Sequence, residues 1–336
     1  MHQHTIDTPR NATVSATALV GRTISMRHLL KIAVLILMVA LITGCAQNGG
    51  TVTKDDPDVP LAAPVSTFEI PIPSAPGINV EQNDRAKIDY SNIQYGYVIV
   101  EFTDTTNSDL KVMVTAPHNE KYVFALSSGG IAEIIPLTEG NGEYMVGVYE
   151  HVEYDSYAQV LTLTVNVELI DALIPFLHPN QFVNYTRESE LVALAAELTK
   201  NATTTHEKIE AIYNYVVKNF TYDFELAETV QSGYLPNLDE VLHRKKGICF
   251  DYSALVTAML RSQGIPARLE IGYHGEQYHA WISKYCENDG WIERAYNYDG
   301  EEWQMSDPTE ESGAQRAHRS RQEALNDEEY RLLYSY

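Results

Sequence analysis

Gly247-Ile-Cys249-Phe-Asp251-Tyr-Ser253-Ala-Leu255-Val-Thr-Ala-Met259-Leu-Arg261-Ser-Gln-Gly264-Ile-Pro266 is the stretch on which the fold turns. Leu255, Val256, Met259 and Leu260 recur at helical spacing, so the spacing predicts a helix over 249–263 with one apolar face. Gly264 is a natural helix stop, and Pro266 beyond it prevents continuation. Upstream the period is also helical. Leu191, Leu194, Ala195 and Leu198 form a stripe, and Thr204-x-x-Glu207 is a capping-box pattern ahead of Ile209, Ile212, Tyr213, Val216 and Phe220. Downstream the pattern changes to strands at 267–273, 278–284, 290–296 and 302–305. Asn288-Asp-Gly290 and Asp299-Gly300 are the turn signals among them. Helices first and an antiparallel meander second predict an α+β domain over 180–310.

Ahead of it, residues 77–172 read as strands. Tyr95 to Thr103, Leu110 to Thr115, Tyr122 to Leu126, Glu143 to Val152 and Ala158 to Leu169 are β-branched, aromatic or alternating. Thr106-Asn-Ser108, Pro117-His-Asn119, Ser127-Ser-Gly-Gly130 and Gly140-Asn-Gly142 punctuate them. Short strands at this spacing predict an all-β, immunoglobulin-like sandwich of about seven strands. No chemical constellation lies there, so a spacer or binding module is the expectation. Residues 46–76 contain Pro57, Pro60, Pro64, Pro71, Pro73 and Pro76, and read as a flexible linker. Residues 311–336 are expected to be a polar tail that ends in a short helix (323–333) or stays mobile.

The chain has 336 residues, with 24 Lys+Arg against 46 Asp+Glu and a net charge of −22. Nucleic acid is therefore not expected as a partner, because binding it requires a basic face. Three cysteines exclude a disulfide scaffold. Residues 32–42 are uninterruptedly apolar, too short to span a bilayer, and follow Arg27 and Lys31. That is the layout of an export signal. Ile42-Thr-Gly-Cys45 resembles the lipobox of bacterial lipoproteins, so residues 1–45 are expected to be a lipoprotein signal peptide, with Met1 or Met26 as its start. The resemblance implies cleavage before Cys45 and diacylation of its thiol. Two acyl chains anchor a protein stably where one does not. Membrane attachment on the extracytoplasmic face follows as the expected localisation.

Three pieces of the second half combine chemically: Gly247-Ile-Cys249, Tyr278-His279-Ala-Trp281 and Trp303-Gln-Met-Ser-Asp307-Pro-Thr309. A nucleophilic thiol must be a thiolate, and a helix N-terminus stabilises that anion. His279 suits a base that takes the thiol proton and later protonates the leaving amine. Asp307 could accept the second imidazole N–H and fix the tautomer. Oxyanion stabilisation would come from the Cys249 backbone N–H and one side-chain donor, for which Tyr222 is the candidate. Tyr252 and Trp281 are candidate substrate-cleft residues. His206-Glu-Lys-Ile-Glu210 ends in Glu where a zinc hydrolase would have His, and no metal or cofactor is expected. Cys286 reads as an inert, partly buried thiol.

These pieces resemble the transglutaminase-like superfamily, a branch of the papain-like cysteine-enzyme fold. The resemblance rests on Gly247-Ile-Cys249, Leu260-Arg-Ser-Gln-Gly-Ile-Pro-Ala-Arg268, His279-Ala-Trp281 and Trp303-Gln-Met-Ser-Asp-Pro-Thr309, in order, from about Thr203 to Thr309. It implies Cys249 as nucleophile, His279 as base and Asp307 as orienting acid. It also implies action on amide bonds of a protein or peptide substrate. The thioester would be resolved by water, as in a peptidase or amidase, or by an amine, as in protein cross-linking. An extra hairpin, 291–298, separates His279 from Asp307. A non-catalytic surface protein that binds through its β-sandwich is the alternative reading.

Overall fold

A computed structural model describes residues 68–293, 296–298, 303–305 and 330–336. Eight strands come first: β1 (Val80–Gln82), β2 (Ala86–Asp89), β3 (Tyr97–Phe102), β4 (Leu110–Thr115), β5 (Lys121–Leu126), β6 (Ala132–Pro136), β7 (Gly142–Glu153) and β8 (Ser156–Val167). They form two four-stranded sheets, in the orders β1-β2-β3-β6 and β5-β4-β7-β8. Every neighbouring pair is antiparallel. Alternation decides which side chains face inward. In β4, Leu110, Val112 and Val114 are buried while Lys111, Met113 and Thr115 are half-exposed; β5 buries Tyr122, Phe124 and Leu126. Tyr144, near the start of β7, donates its hydroxyl proton to the Gly140 carbonyl at 3.0 Å.

Five helices follow among the described residues: α1 (Glu190–Thr199), α2 (Thr205–Asn219), α3 (Phe224–Thr229), α4 (Leu238–Arg244) and α5 (Cys249–Ser262). The capping box forms at α2: Thr204 accepts the Glu207 N–H, and Glu207 accepts the Thr204 N–H. Two-residue strands β9 (Thr221–Tyr222) and β10 (Lys246–Gly247) pair in parallel. Then come β11 (Ala267–His274), β12 (Gln277–Cys286), β13 (Gly290–Ile292), β14 (Tyr296–Tyr298), β15 (Trp303–Met305) and β16 (Tyr330–Ser335). The second region's main sheet has the order β13-β12-β11-β16, entirely antiparallel, while β14 and β15 pair separately. The structure is thus a mixed α/β one with few helices, in which every sheet but the short β9–β10 pair is antiparallel among the described residues. The strand expected over 290–296 is two elements, β13 and the start of β14.

Two expectations need correction. Where the expected 323–333 helix falls within the described residues it is a strand instead: Tyr330–Ser335 pairs with the edge of β11. Tyr336 lies beyond it, its ring 4.2 Å from Phe182 and 5.9 Å from Phe124 by centroid. Tyrosines and leucines in close succession favour a half-buried strand over a helix there. The linker also ends before Pro76. Ile70 is buried, His178 Nδ1 lies 2.9 Å from the Pro71 carbonyl, and Arg187 donates to the Ile70 carbonyl at 2.9 Å. An apolar residue with a partner for its carbonyl has reason to dock rather than stay solvated.

Arg261 joins these parts. Its guanidinium is fully buried and donates to three carbonyls: Ala267 at 2.9 Å, His178 at 2.6 Å and Tyr336 at 2.7 Å. Burial pushes it down to about 10, still charged at neutral pH. One side chain thereby ties the end of α5, the approach to α1 and the C-terminus.

Candidate active site

Cys249 is the first residue of α5 and is partly exposed, whereas most of the helix behind it is buried. The local sequence explains this placement. Ile248 is extended (φ −96°, ψ 178°), as an N-cap residue should be, but has no polar side chain to cap with. Asp251, three residues on, supplies the missing contact: its carboxylate accepts the Ile248 N–H at 2.8 Å. The other carboxylate oxygen accepts the Tyr234 hydroxyl at 2.6 Å and faces Arg244 at 3.2 Å. Desolvation holds the Asp251 carboxyl above its ordinary range, opposed by Tyr234, the Ile248 N–H and Arg244. Gly247 is required by the same packing. A Cβ there would lie 2.6 Å from the Asp251 Cβ and 2.8 Å from its Oδ2.

Tyr222 pairs in register with Gly247 across β9 and β10, with Asp223 N–H donating to the Gly247 carbonyl at 2.8 Å. The segment that carries Tyr222 is therefore fixed beside the start of the cysteine helix. The Lys246–Asp223 ion pair at 2.9 Å reinforces this contact.

His279 is on β12 opposite Gly272 of β11, and is buried. Helix α5 packs against β12. Ser253, one turn after Cys249, donates to the carbonyl of Ala280, the residue after His279, at 3.0 Å. On the other side of His279 is Tyr278. Burial, then the Tyr334 and Tyr273 phenols, then Cys249 hold its hydroxyl above the ordinary range. The imidazole stacks on Trp281 at 6.2 Å between centroids and lies 6.0 Å from His274.

The expected site residues therefore separate into groups. Cys249, Tyr222 and the strand bearing His279 converge on one end of α5. Tyr252 and Trp281 are buried, the first with its ring edge-on to Phe220. Residue 252 faces the helical core because the apolar side of α5 extends to its first turn. Asp307 and Cys45 lie outside the described residues. Sequence reasoning passed over Asp251, although an acid three residues after a helix start is a recognisable capping signal. It also passed over Glu270. That carboxyl is buried, accepts the Ser283 hydroxyl at 2.7 Å, and is held above its ordinary range by desolvation, against the pull of Ser283 and Arg268.

Among curated proteins, the uncharacterized protein YebA of Bacillus subtilis is 26% identical over 188 residues, 49% of this chain. The chain spans only 25% of that relative's length. Among solved structures, a candidate cysteine protease from Cytophaga hutchinsonii is 17% identical and covers 63% of this chain and 71% of its own, with a TM-score of 0.33. The periplasmic domain of TgpA from Pseudomonas aeruginosa is 14% identical, covers 72% and 78% respectively, and has a TM-score of 0.32. Red sea bream transglutaminase is 13% identical, covers 63% and 48%, and has a TM-score of 0.27. The transglutaminase-like superfamily model matches residues 192–294, which span α1 to β13 and include Cys249 and His279. Residues 192–294 are therefore similar to the core domain of the transglutaminase-like superfamily.

Proposed function

We propose that the chain is a cysteine acyl-transfer enzyme acting on amide bonds of a protein or peptide, with Cys249 as nucleophile and His279 as base. The reading is carried by one observation: Cys249 opens α5 while Ser253, one turn on, is bonded to the residue beside His279. In the reaction, the Cys249 sulfur attacks the carboxamide carbon. The C–N bond breaks, the amine leaves with the proton held by His279, and a thioester remains. The Cys249 N–H and the Tyr222 hydroxyl are the oxyanion donors in this scheme. Asp307 orients the imidazole. Water then attacks the thioester, His279 takes its proton, and acid and free thiol are released. Partial exposure of Cys249 supports water over an amine as acceptor, because aminolysis depends on excluding water from the thioester.

The first region supports an immunoglobulin-like sandwich as spacer or binding module. Its chain crosses between sheets after β3, β5 and β6, leaving β5-β4-β7-β8 as one sheet. The Tyr144–Gly140 bond resembles the tyrosine corner of such sandwiches. Lipidation at Cys45 would tether this body to the outer face of a membrane. Among the described residues, no helix is long and apolar enough to cross one.

The test incubates the protein with a protein substrate and a fluorescent primary amine, alongside Cys249→Ala and His279→Ala. Substrate fragmentation lost in Cys249→Ala, and reduced about 10²–10⁴-fold in His279→Ala, is expected. Amine incorporation lost in Cys249→Ala would replace hydrolysis by protein-glutamine gamma-glutamyl transfer. No Cys249-dependent product of either kind would defeat the enzyme reading and leave the surface-binding one.

A further inference from the structure

We propose that His206, Cys286 and Asp289 form a binding site for a borderline-soft divalent cation of the zinc class, separate from the cysteine–histidine site. His206 is the second residue of α2, Cys286 is the last of β12, and Asp289 lies in the turn before β13. One imidazole nitrogen, the thiol sulfur and one carboxylate oxygen all lie within 4.8 Å of one another. His206 Nε2 and Asp289 Oδ2 are 2.7 Å apart.

The turn creates half of the site. Asp289 N–H donates to the Cys286 carbonyl at 3.1 Å, and Cys286 pairs with Gly290 across the hairpin. Cys286-Glu-Asn-Asp289 therefore folds back on itself and presents sulfur and carboxylate to the same point. Its two-residue spacing is the one by which Cys-x-x-Cys turns hold structural zinc. Helix α2, some eighty residues earlier, brings the imidazole to that point.

Donor chemistry selects the ion. Thiolate, imidazole and one carboxylate suit zinc or cobalt, whereas magnesium and calcium prefer an all-oxygen shell. Bond lengths of about 2.0–2.3 Å place ligand atoms of a tetrahedral ion about 3.3–3.5 Å apart. The His206–Asp289 contact then opens by less than about 1 Å to admit the ion, which takes the place of the shared proton. The Cys286 thiol loses its proton on binding, so each ion taken up releases one proton from sulfur. Cys286 is buried while His206 and Asp289 are partly exposed, so the ion enters from the imidazole–carboxylate side and can keep a water as fourth ligand. Bound there, it clamps the first turn of α2 to the hairpin that ends the His279 strand.

The full chain, purified in detergent, stripped with a chelator and kept reduced, is titrated with Co²⁺ and then with Zn²⁺. One equivalent of cobalt producing a thiolate-to-metal charge-transfer band, bleached by zinc, is expected. The band should persist in Cys249→Ala, vanish in Cys286→Ser, and need at least about tenfold more cobalt in His206→Gln and Asp289→Asn. The last two change partly exposed residues and decide the matter if Cys286→Ser does not fold. No stoichiometric band in the wild type, a band that survives Cys286→Ser or is lost in Cys249→Ala, or wild-type affinity in both His206→Gln and Asp289→Asn would overturn the proposal.

Discussion

The two sheet-bearing regions of this chain bury different things. From β1 to β8 the core is valine, leucine, isoleucine, tyrosine, phenylalanine and alanine, and Asp89 is the only buried charged or polar residue among those described there. From His178 onward the described residues bury thirteen, including Asp251, Arg261, Glu270, His279 and Lys284. Burying a polar group is unfavourable unless it is bonded, and it narrows the geometries the chain can adopt. The first region needs only a pattern of apolar faces. The second region uses polar bonds to hold a thiol at a helix start and an imidazole strand against that helix.

The contrast should show first at Arg261. Arg261→Met keeps much of the volume but deprives buried carbonyls of a donor, while Tyr336 O retains the Leu269 N–H. A loss of about 3 kcal/mol is expected in urea unfolding. An unchanged midpoint would show that the polar core is dispensable. Glycine substitutions sharpen the comparison at smaller scale. In Gly272→Ala the new Cβ runs into the Arg331 backbone carbonyl and lies 2.8 Å from the Trp281 ring. In Gly147→Ala, within β7, its three nearest neighbours are all atoms at the far end of the Tyr149 side chain, the first at 2.5 Å, which can swing away. Gly272→Ala should cost about 1–3 kcal/mol and the other less, as read from melting temperatures. The reverse order would mean that β16 yields more easily than Tyr149.

Glu270 gives the smallest effect, and its sign is definite. Its carboxyl titrates above the ordinary 4.5, so between that value and its folded one the native state holds more proton than the unfolded state. Stability from this group is full below the window and falls as pH rises through it. The wild type's stability minus that of Glu270→Gln should therefore decline as pH rises above 4.5. A difference that is flat or rises with pH would remove Glu270 from the account.

Much of this was legible in the sequence because it depends on local rules. The capping box at Thr204, the helix opening at Cys249 and the hairpin at Asn288-Asp-Gly290 each follow from neighbouring residues. What escaped depends on partners far apart in the chain. Nothing near Arg261 announces that His178 and Tyr336 will supply carbonyls, and nothing near Tyr330 announces a place beside β11. A polar C-terminal sequence read alone suggests solvent; its tyrosines find the aromatic cluster of Phe124 and Phe182 only after the fold forms. The burial of Tyr252 against Phe220 was hidden for the related reason that sequence proximity to a thiol does not say which side of the helix a residue takes.

The central claim is that His279 serves the Cys249 sulfur. Its most direct test is the rate at which a small alkylating agent modifies Cys249, followed by peptide mass spectrometry in the wild type and in His279→Ala. Cys286, buried, is the internal reference. The account predicts that Cys249 reacts faster than Cys286 in the wild type and slows about tenfold or more without the imidazole. Equal rates in the folded wild type and folded His279→Ala would contradict it.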